Sequence, residues 1–309
     1  MINVQKHCTK SNKAKLIRHT FSVFISIMLA CATFISVYAE SFLIINGFSF
    51  LCNSSDEAVI YSYDERETEV VIPKTIIGSR VVGIAEYAFM RNTSMTSISF
   101  NESIYLKKIG ISAFANCTNL KSVELNDSIE SIATSAFHGC TNLEEIQFNR
   151  CKLTEIPDYA FSNCSSLKRI KIPDGVTKIG AYAFDNCTEL TTVFIPDSVT
   201  EIDLNAFANT SQVIIVSSTD SYANTYADEN NISFLSKDLF CIGDVNRDGN
   251  INILDATQIQ KYLAHIVDLA EPALTNADTD LNCKINILDA TEIQKFLAKL
   301  PSHFDEIEN

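Results

Sequence analysis

Ala-Phe pairs recur at Ala88-Phe89, Ala113-Phe114, Ala136-Phe137, Ala160-Phe161, Ala183-Phe184 and Ala206-Phe207, separated by 25, 23, 24, 23 and 23 residues. A period in that range marks a repeat architecture, in which one unit buries too little by itself and stacked neighbours share a continuous core. Three residues after each Phe stands Asn92, Cys117, Cys140, Cys164, Cys187 or Thr210, and three further on stands Met95, Leu120, Leu143, Leu167, Leu190 or Val213. An alternating stretch follows. Its inward members are Ile98 and Phe100, Val123 and Leu125, Ile146 and Phe148, Ile170 and Ile172, Val193 and Ile195, the period of two that a strand requires. Pro173 and Pro196 end two of these strands, because proline cannot donate to the ladder. Ile84, Ile109, Ile132, Ile156, Ile179 and Ile202 complete the set expected to be buried.

The pattern I-G-x-x-A-F-x-x-C-x-x-L-x-x-V-x-I-P, nearly whole between Ile179-Gly180 and Ile195-Pro196, resembles the BspA-like class of bacterial leucine-rich repeats over about residues 70 to 216. The resemblance implies a solenoid of at least six coils. Strands and turns from Phe48 to Pro73 are expected to cap its first coil, and a short helix from Ser221 to Asn231 its last. The outward strand residues are Ser97, Ser99, Ser122, Glu124, Glu145, Gln147, Arg169, Lys171, Thr192 and Phe194. They are expected to form an exposed face for an unknown protein or glycan ligand. Cys117, Cys140, Cys164 and Cys187 share one repeat position and should stack as buried thiols acting as small hydrophobes, rather than as a metal or redox site. Cys52, Cys151, Cys241 and Cys283 share no position, and spacing does not pair them. Sequons such as Asn116-Cys117-Thr118 are by-products of the repeat turn.

A second repetition begins after Phe240. Asp244, Asn246, Asp248, Asn252 and Asp255 place oxygen ligands at positions 1, 3, 5, 9 and 12 of a loop, with Asn250 at position 7 offering its backbone carbonyl. Hard cations with six to eight oxygen ligands need this spacing, as in an EF-hand loop. The set recurs 34 residues later as Asp278, Asp280, Asn282, Lys284, Asn286 and Asp289. Helical segments are expected from Ala256 to Ile266 and Ala290 to Leu300, with Ile259 and Leu263 packing against Ile293 and Leu297. No entering helix is evident before either loop, which sets the pair apart from ordinary EF-hands.

Residues Ile251–Ala264 and Ile285–Ala298 agree at 12 of 14 positions. Here the chain resembles a type I dockerin, the module by which secreted proteins attach to cohesins on a scaffoldin. The resemblance implies two bound Ca²⁺ ions and a cohesin partner. It also implies that Ile253, Leu254, Gln260 and Lys261, with their counterparts Ile287, Leu288, Gln294 and Lys295, read the cohesin. Cys283 departs from the glycine usual at position 6.

Charge and the N-terminus narrow the function. Lys6, Lys10, Lys13, Lys15 and Arg18, the apolar run Phe21 to Ile35, and small residues up to Ala39 are expected to form a secretory signal peptide cut before Glu40. Its removal takes five basic residues from 24 and leaves 38 acidic ones, a net −19 in place of −14. That sign disfavours a phosphate-backbone binder and suits divalent cations. Outside the leader only His138, His265 and His303 remain, a poor stock of general acid–base groups.

The fold class expected is therefore α+β multidomain, a leucine-rich repeat solenoid followed by a small α-helical dockerin with two EF-hand-like calcium loops. The boundaries are 1–39 signal peptide, 40–69 N-terminal cap, 70–217 repeats, 218–239 C-terminal cap and linker, and 240–309 dockerin. The function expected is a secreted, extracellular, non-catalytic binding or adhesion protein held on a cellulosome-type scaffold, with no nucleic acid partner and no membrane span after signal removal. The alternatives are a dockerin-bearing polysaccharide-degrading enzyme and a free surface adhesin with structural calcium loops. The enzyme would need two carboxylates positioned in a cleft, whereas a solenoid displays its acids separately.

Overall fold

The computed structural model describes residues 43–64, 67–100, 102–237, 242–247, 250–270, 273–279 and 282–302. The signal-peptide expectation, and Asp248, Asp280, Cys241 and His303, lie outside them. The chain forms a β-solenoid of about eight turns and then a small helical region. It divides into two compact units, one holding the described residues up to Leu167 with Lys178–Thr188 and Asp203–Thr210, the other Lys168–Thr177, Glu189–Ile202 and the chain from Ser211 onward.

In the first unit β1 (Leu43–Ile45), β2 (Phe48–Cys52) and β3 (Glu57–Tyr63) form an antiparallel meander. Then β4 (Glu69–Val71) and the hairpin of β5 (Thr75–Ile76) with β6 (Ser79–Ile84) lead into the coils. Each coil gives one longer and one very short strand. The longer ones, β7 (Ser97–Ser99), β9 (Ser122–Leu125) and β11 (Glu145–Phe148), continue β4 as a parallel sheet in which Val70, Ile98, Val123 and Ile146 align. The short ones, β8 (Lys108–Ile109) and β10 (Ser131–Ile132), continue β6, while β12 (Glu155–Ile156) pairs with β14 (Lys178–Ile179).

The repeated phenylalanines stack into one ladder. Ring centroids are 4.9 Å apart for Phe89–Phe114, 5.2 Å for Phe114–Phe137, 5.7 Å for Phe137–Phe161, 5.5 Å for Phe161–Phe184 and 5.3 Å for Phe184–Phe207. Tyr63 of the meander closes its open end, 5.6 Å from Phe89. The turn that carries each Phe needs left-handed backbone two residues beyond it, at Arg91, Asn116, Gly139, Asn163, Asn186 and Asn209. Asparagine and glycine tolerate that conformation best, which accounts for the repeated Asn of the sequon-like turns. At Gly180 a Cβ would fall 2.7 Å from the Asp158 nitrogen and 2.9 Å from the Pro157 carbonyl carbon, so the coils approach through space that only glycine leaves.

In the second unit β13 (Arg169–Lys171), β15 (Thr192–Phe194), β17 (Ile214–Ser217) and β18 (Ser233–Ser236) form a parallel sheet, aligned through Ile170, Val193, Ile215 and Phe234. Its short strand is β16 (Glu201–Ile202). Helix α1 (Tyr222–Glu229), capped by Ser221, connects β17 to β18. The expected capping helix is thus present, but one more solenoid strand follows it. The inward residues of the repeats are buried as expected except Phe148, which is half-buried.

The exposed-face expectation needs correction: the other eight outward residues are half-buried, and Thr192 and Phe194 are only 1% and 8% exposed, with the Arg169 guanidinium over the Phe194 ring, 5.4 Å from its centroid.

The C-terminal module contains α2 (Ile253–Leu263), α3 (Ala273–Ala277) and α4 (Ile287–Leu297). Its core is Val245, Ala256, Ile259, Ala277, Ala290 and Ile293, with Leu263 and Phe296 among the residues packed against it. Leu297, expected in this core, is exposed, and its neighbour Phe296 packs there instead. Among the described residues no helix is long and apolar enough to cross a membrane.

Candidate functional site

The two loops are built alike. In each, the position-9 asparagine is the N-cap of the following helix and the position-12 aspartate completes a capping box. Asn252 Oδ1 accepts from Leu254 N–H at 2.8 Å, while Asp255 Oδ2 accepts from Asn252 N–H at 2.8 Å. Asn286 and Asp289 repeat both bonds at 2.8 Å. This reciprocal capping starts α2 and α4 three residues before the expected Ala256 and Ala290. Left-handed His265 and Lys299 end the two helices, each donating to the residue three before it (2.9 Å to Tyr262 and 3.0 Å to Phe296).

The position-12 carboxylates also reach back to the loop entrances. Asp255 Oδ1 accepts from Val245 N–H at 2.9 Å and Asn246 N–H at 3.0 Å; Asp289 Oδ1 accepts from Thr279 N–H at 2.8 Å. At position 1 of the second loop, Asp278 accepts from Asn282 N–H at 3.0 Å and Cys283 N–H at 2.8 Å. Cys283 itself sits at φ 68°, the left-handed backbone for which glycine is suited.

Asp244, Asp255, Asp278 and Asp289 are all buried. Buried carboxylates in loops whose other expected donors, Asn246, Asn250, Asn252, Asn282, Asn286 and the Lys284 carbonyl, are all oxygens fit a hard divalent cation. Among the described residues no group of three or more His, Cys, Asp or Glu converges on one point; Asp248 and Asp280 lie outside that set. Bound Ca²⁺ would supply charge neutralisation for these carboxylates and hold each loop against its helix.

Asn276 belongs to neither loop pattern. Its Nδ2 donates to the Asp244 carbonyl at 2.7 Å and its own carbonyl accepts from Gly243 N–H at 2.8 Å, so α3 ties the second half of the module to the first loop. The signal was the break in duplication: 34 residues earlier the same place holds Ile242. Helix α3 also amends the expectation that neither loop has an entering helix, since five residues of helix precede Asp278.

The expected partner residues lie on the helix starts and one turn on. Ile253 and Ile287 are each 55% exposed, Leu254 is 60% and Leu288 63% exposed. Four large apolar side chains held open to solvent suit an interface. Gln260, Lys261 and Gln294 are exposed; Lys295 is half-buried, with Nζ 2.6 Å from Glu292 Oε1.

The stacked cysteines are buried free thiols, and Cys52 and Cys151 are also free. They are more than hydrophobes. Cys117, Cys140, Cys164 and Cys187 donate to the carbonyls of Phe89, Phe114, Phe137 and Phe161 at 3.1, 3.2, 3.3 and 3.1 Å. Thr210 does the same to Phe184 at 2.8 Å, which explains threonine at a cysteine position. Burial pushes the thiols of Cys140 and Cys164 up and that of Cys187 to about 12. They stay protonated, the form that donates rather than the thiolate that binds metal.

Six copies of the BspA type leucine rich repeat region match residues 82–214, and the dockerin type I domain matches residues 242–298. No curated protein matches the chain. Among solved structures, a leucine rich cell surface protein from Faecalibacterium prausnitzii is 30% identical over 56% of this chain and 47% of its own, with a TM-score of 0.49. The leucine rich repeat protein of T. pallidum is 26% identical over 62% of this chain and 97% of its own, with a TM-score of 0.48. The chain thus spans about half of the first of these, 47%. It carries a BspA-type leucine-rich repeat region followed by a type I dockerin domain.

Proposed function

We propose that this is a secreted, non-catalytic binding protein whose solenoid is fixed to a scaffoldin by calcium-dependent docking of its C-terminal module to a cohesin. The two families support a cohesin-binding, cellulosome-type interaction role, and type I dockerins bind calcium. The observation that carries the finer reading is the duplicated loop and helix start, in which identical Ile-Leu pairs stand open beside buried capping carboxylates. In this reading each loop holds one Ca²⁺, through Asp244, Asn246, Asp248, Asn250, Asn252 and Asp255 or through Asp278, Asp280, Asn282, Lys284, Asn286 and Asp289. Ile253, Leu254, Gln260 and Lys261, or Ile287, Leu288, Gln294 and Lys295, meet the cohesin. The chain divides into a 1–39 leader, a 40–69 cap, repeats over 70–217, a cap and linker over 218–239, and the docking module over 240–309. The solenoid is the part that binds a protein or glycan.

The test is capture of the full chain by immobilised cohesins of type I, with calcium and with chelator. Capture in calcium that chelator abolishes supports the reading. Equal capture in both conditions, or none, rejects it, and hydrolysis of plant polysaccharides by the purified chain rejects the non-catalytic part.

A further inference from the structure

Arg169 belongs to β13, on the outward side of the solenoid sheet, yet its side chain is only 12% exposed. Phe194, Asp278 and Thr275 are among the groups that hold it. Its guanidinium lies over Phe194, 5.4 Å from the ring centroid; Nη1 is 3.6 Å from Asp278 Oδ2; Nη2 is 3.5 Å from Thr275 Oγ1. All four residues fall within the second compact unit. Asp278 is position 1 of the second loop and has no exposed side-chain surface. Its two oxygens already accept the N–H groups of Asn282 and Cys283.

A carboxylate so enclosed does not serve two cations equally. A divalent ion on Asp278 would stand within a few ångströms of the guanidinium, where little water screens the repulsion between like charges. We propose that Arg169 is a built-in competitor for calcium at the second loop, so that filling this loop and pairing Arg169 with Asp278 oppose each other. Coupling of this kind is reciprocal: if Arg169 weakens calcium at the second loop, calcium there loosens Arg169 by the same factor. Arg169 also covers Phe194, the large aromatic on the outward face of β15. Calcium at the second loop therefore uncovers an apolar element of the solenoid's own binding face, which links occupancy of the module to presentation of the solenoid.

The inference rests on the calcium reading of the loops, and its test separates the two. Full-length protein, Arg169→Gln and Arg169→Lys are titrated with calcium by calorimetry, with Asp244→Asn identifying the second site by disabling the first. In parallel, phenylglyoxal modification of Arg169 in the unmutated chain is followed by mass spectrometry, in calcium and in chelator. Arg169→Gln is expected to raise second-site affinity by about fivefold or more and leave the first site unchanged, with Arg169→Lys closer to the unmutated chain. Modification of Arg169 is expected to run severalfold faster in calcium. Unchanged or weakened second-site affinity in Arg169→Gln, with both sites still titrating, overturns the competition alone. Absence of binding at either site overturns the calcium reading and the competition with it. Should Arg169→Gln not fold, equal modification with and without calcium in the unmutated chain is itself the overturning result.

Discussion

The Cys140 thiol donates to the Phe114 carbonyl of the coil before it at 3.2 Å, and that carbonyl also accepts Cys117 N–H at 3.2 Å. One oxygen thereby serves the turn of its own coil and the stacking of the next. Cys140→Thr keeps a donor at this place, as Thr210 does naturally, whereas Cys140→Val has similar volume and none. The valine variant is expected to be less stable than the threonine variant by about 1 kcal/mol, the net worth of one hydrogen bond. Urea denaturation compares them; valine at least as stable as threonine would mean the thiols act only as packing.

Those thiols also set an alkaline limit. Burial raises Cys187 to about 12 and Cys151 to about 11 from 9.0, and raises Cys140 and Cys164 as well. A raised folded-state pKa means that the unfolded chain loses its proton first. The stability is therefore complete below about pH 9 and falls as pH rises from there through the folded values. Melting temperature is expected to decline above pH 9 and to decline less in Cys187→Thr. Parallel profiles for the two proteins would contradict the thiol origin.

The architecture was legible where period carried it. The Ala-Phe spacing and the strand alternation identify the buried residues because each coil meets the same neighbours above and below. Strand β18 escaped because Ser233–Ser236 follows no Ala-Phe turn and is recruited by the edge of β17. The alternation also assigns Phe194 correctly to the outward side, but periodicity is silent on what covers that side, here Arg169 from the adjacent strand. In the module, the loop spacing marks Asn252 and Asp255 as oxygen donors for a cation. The same two side chains cap α2, so the helix begins three residues before the Ala256 that the loop pattern implies. Leu263 and Leu297 are equivalent in sequence but half-buried and exposed respectively, a difference that duplication conceals.

Chelation is expected to unfold or open the C-terminal module while the solenoid's circular dichroism persists. The module's core is six small or branched residues with only partly buried apolar side chains packed against them, too little to offset four buried carboxylates without a cation. The solenoid core is the Phe ladder and its aliphatic sheets, and the expected calcium ligands all lie in the module. Loss of both signals at the same temperature on chelation would contradict this.

Cys283 is expected to give the two loops unequal calcium affinity. Holding a residue with a Cβ at φ 68° costs on the order of 1–2 kcal/mol, which is roughly tenfold in binding. The first loop has Gly249 at this position. Cys283→Gly is expected to tighten the second site by up to about tenfold and leave the first alone. A calorimetric titration with no gain in the variant would show that the strain is absent from the binding step.

The near-identity of the two helix starts predicts docking in two orientations. Ile253 and Ile287 share 55% exposure, and Leu254 and Leu288 differ only as 60% to 63%. A rotation exchanging α2 and α4 would therefore present the same apolar pair to one cohesin, as an internal pseudo-twofold implies. The polar partners are less equal, since Lys295 is half-buried against Glu292 while Lys261 is exposed. That difference favours the α2 orientation without removing the other, because releasing Lys295 sacrifices only one partly exposed ion pair. The measurement is cohesin affinity for three variants: Leu254→Asp with Lys261→Asp, Leu288→Asp with Lys295→Asp, and all four together. Each pair should cost about a factor of two, somewhat more on α2, because one of two bound arrangements is lost. The fourfold variant should not bind. Loss of binding from one pair alone, with calcium uptake and circular dichroism intact, would show that a single orientation operates and that the exposed pair on the other helix serves a different contact.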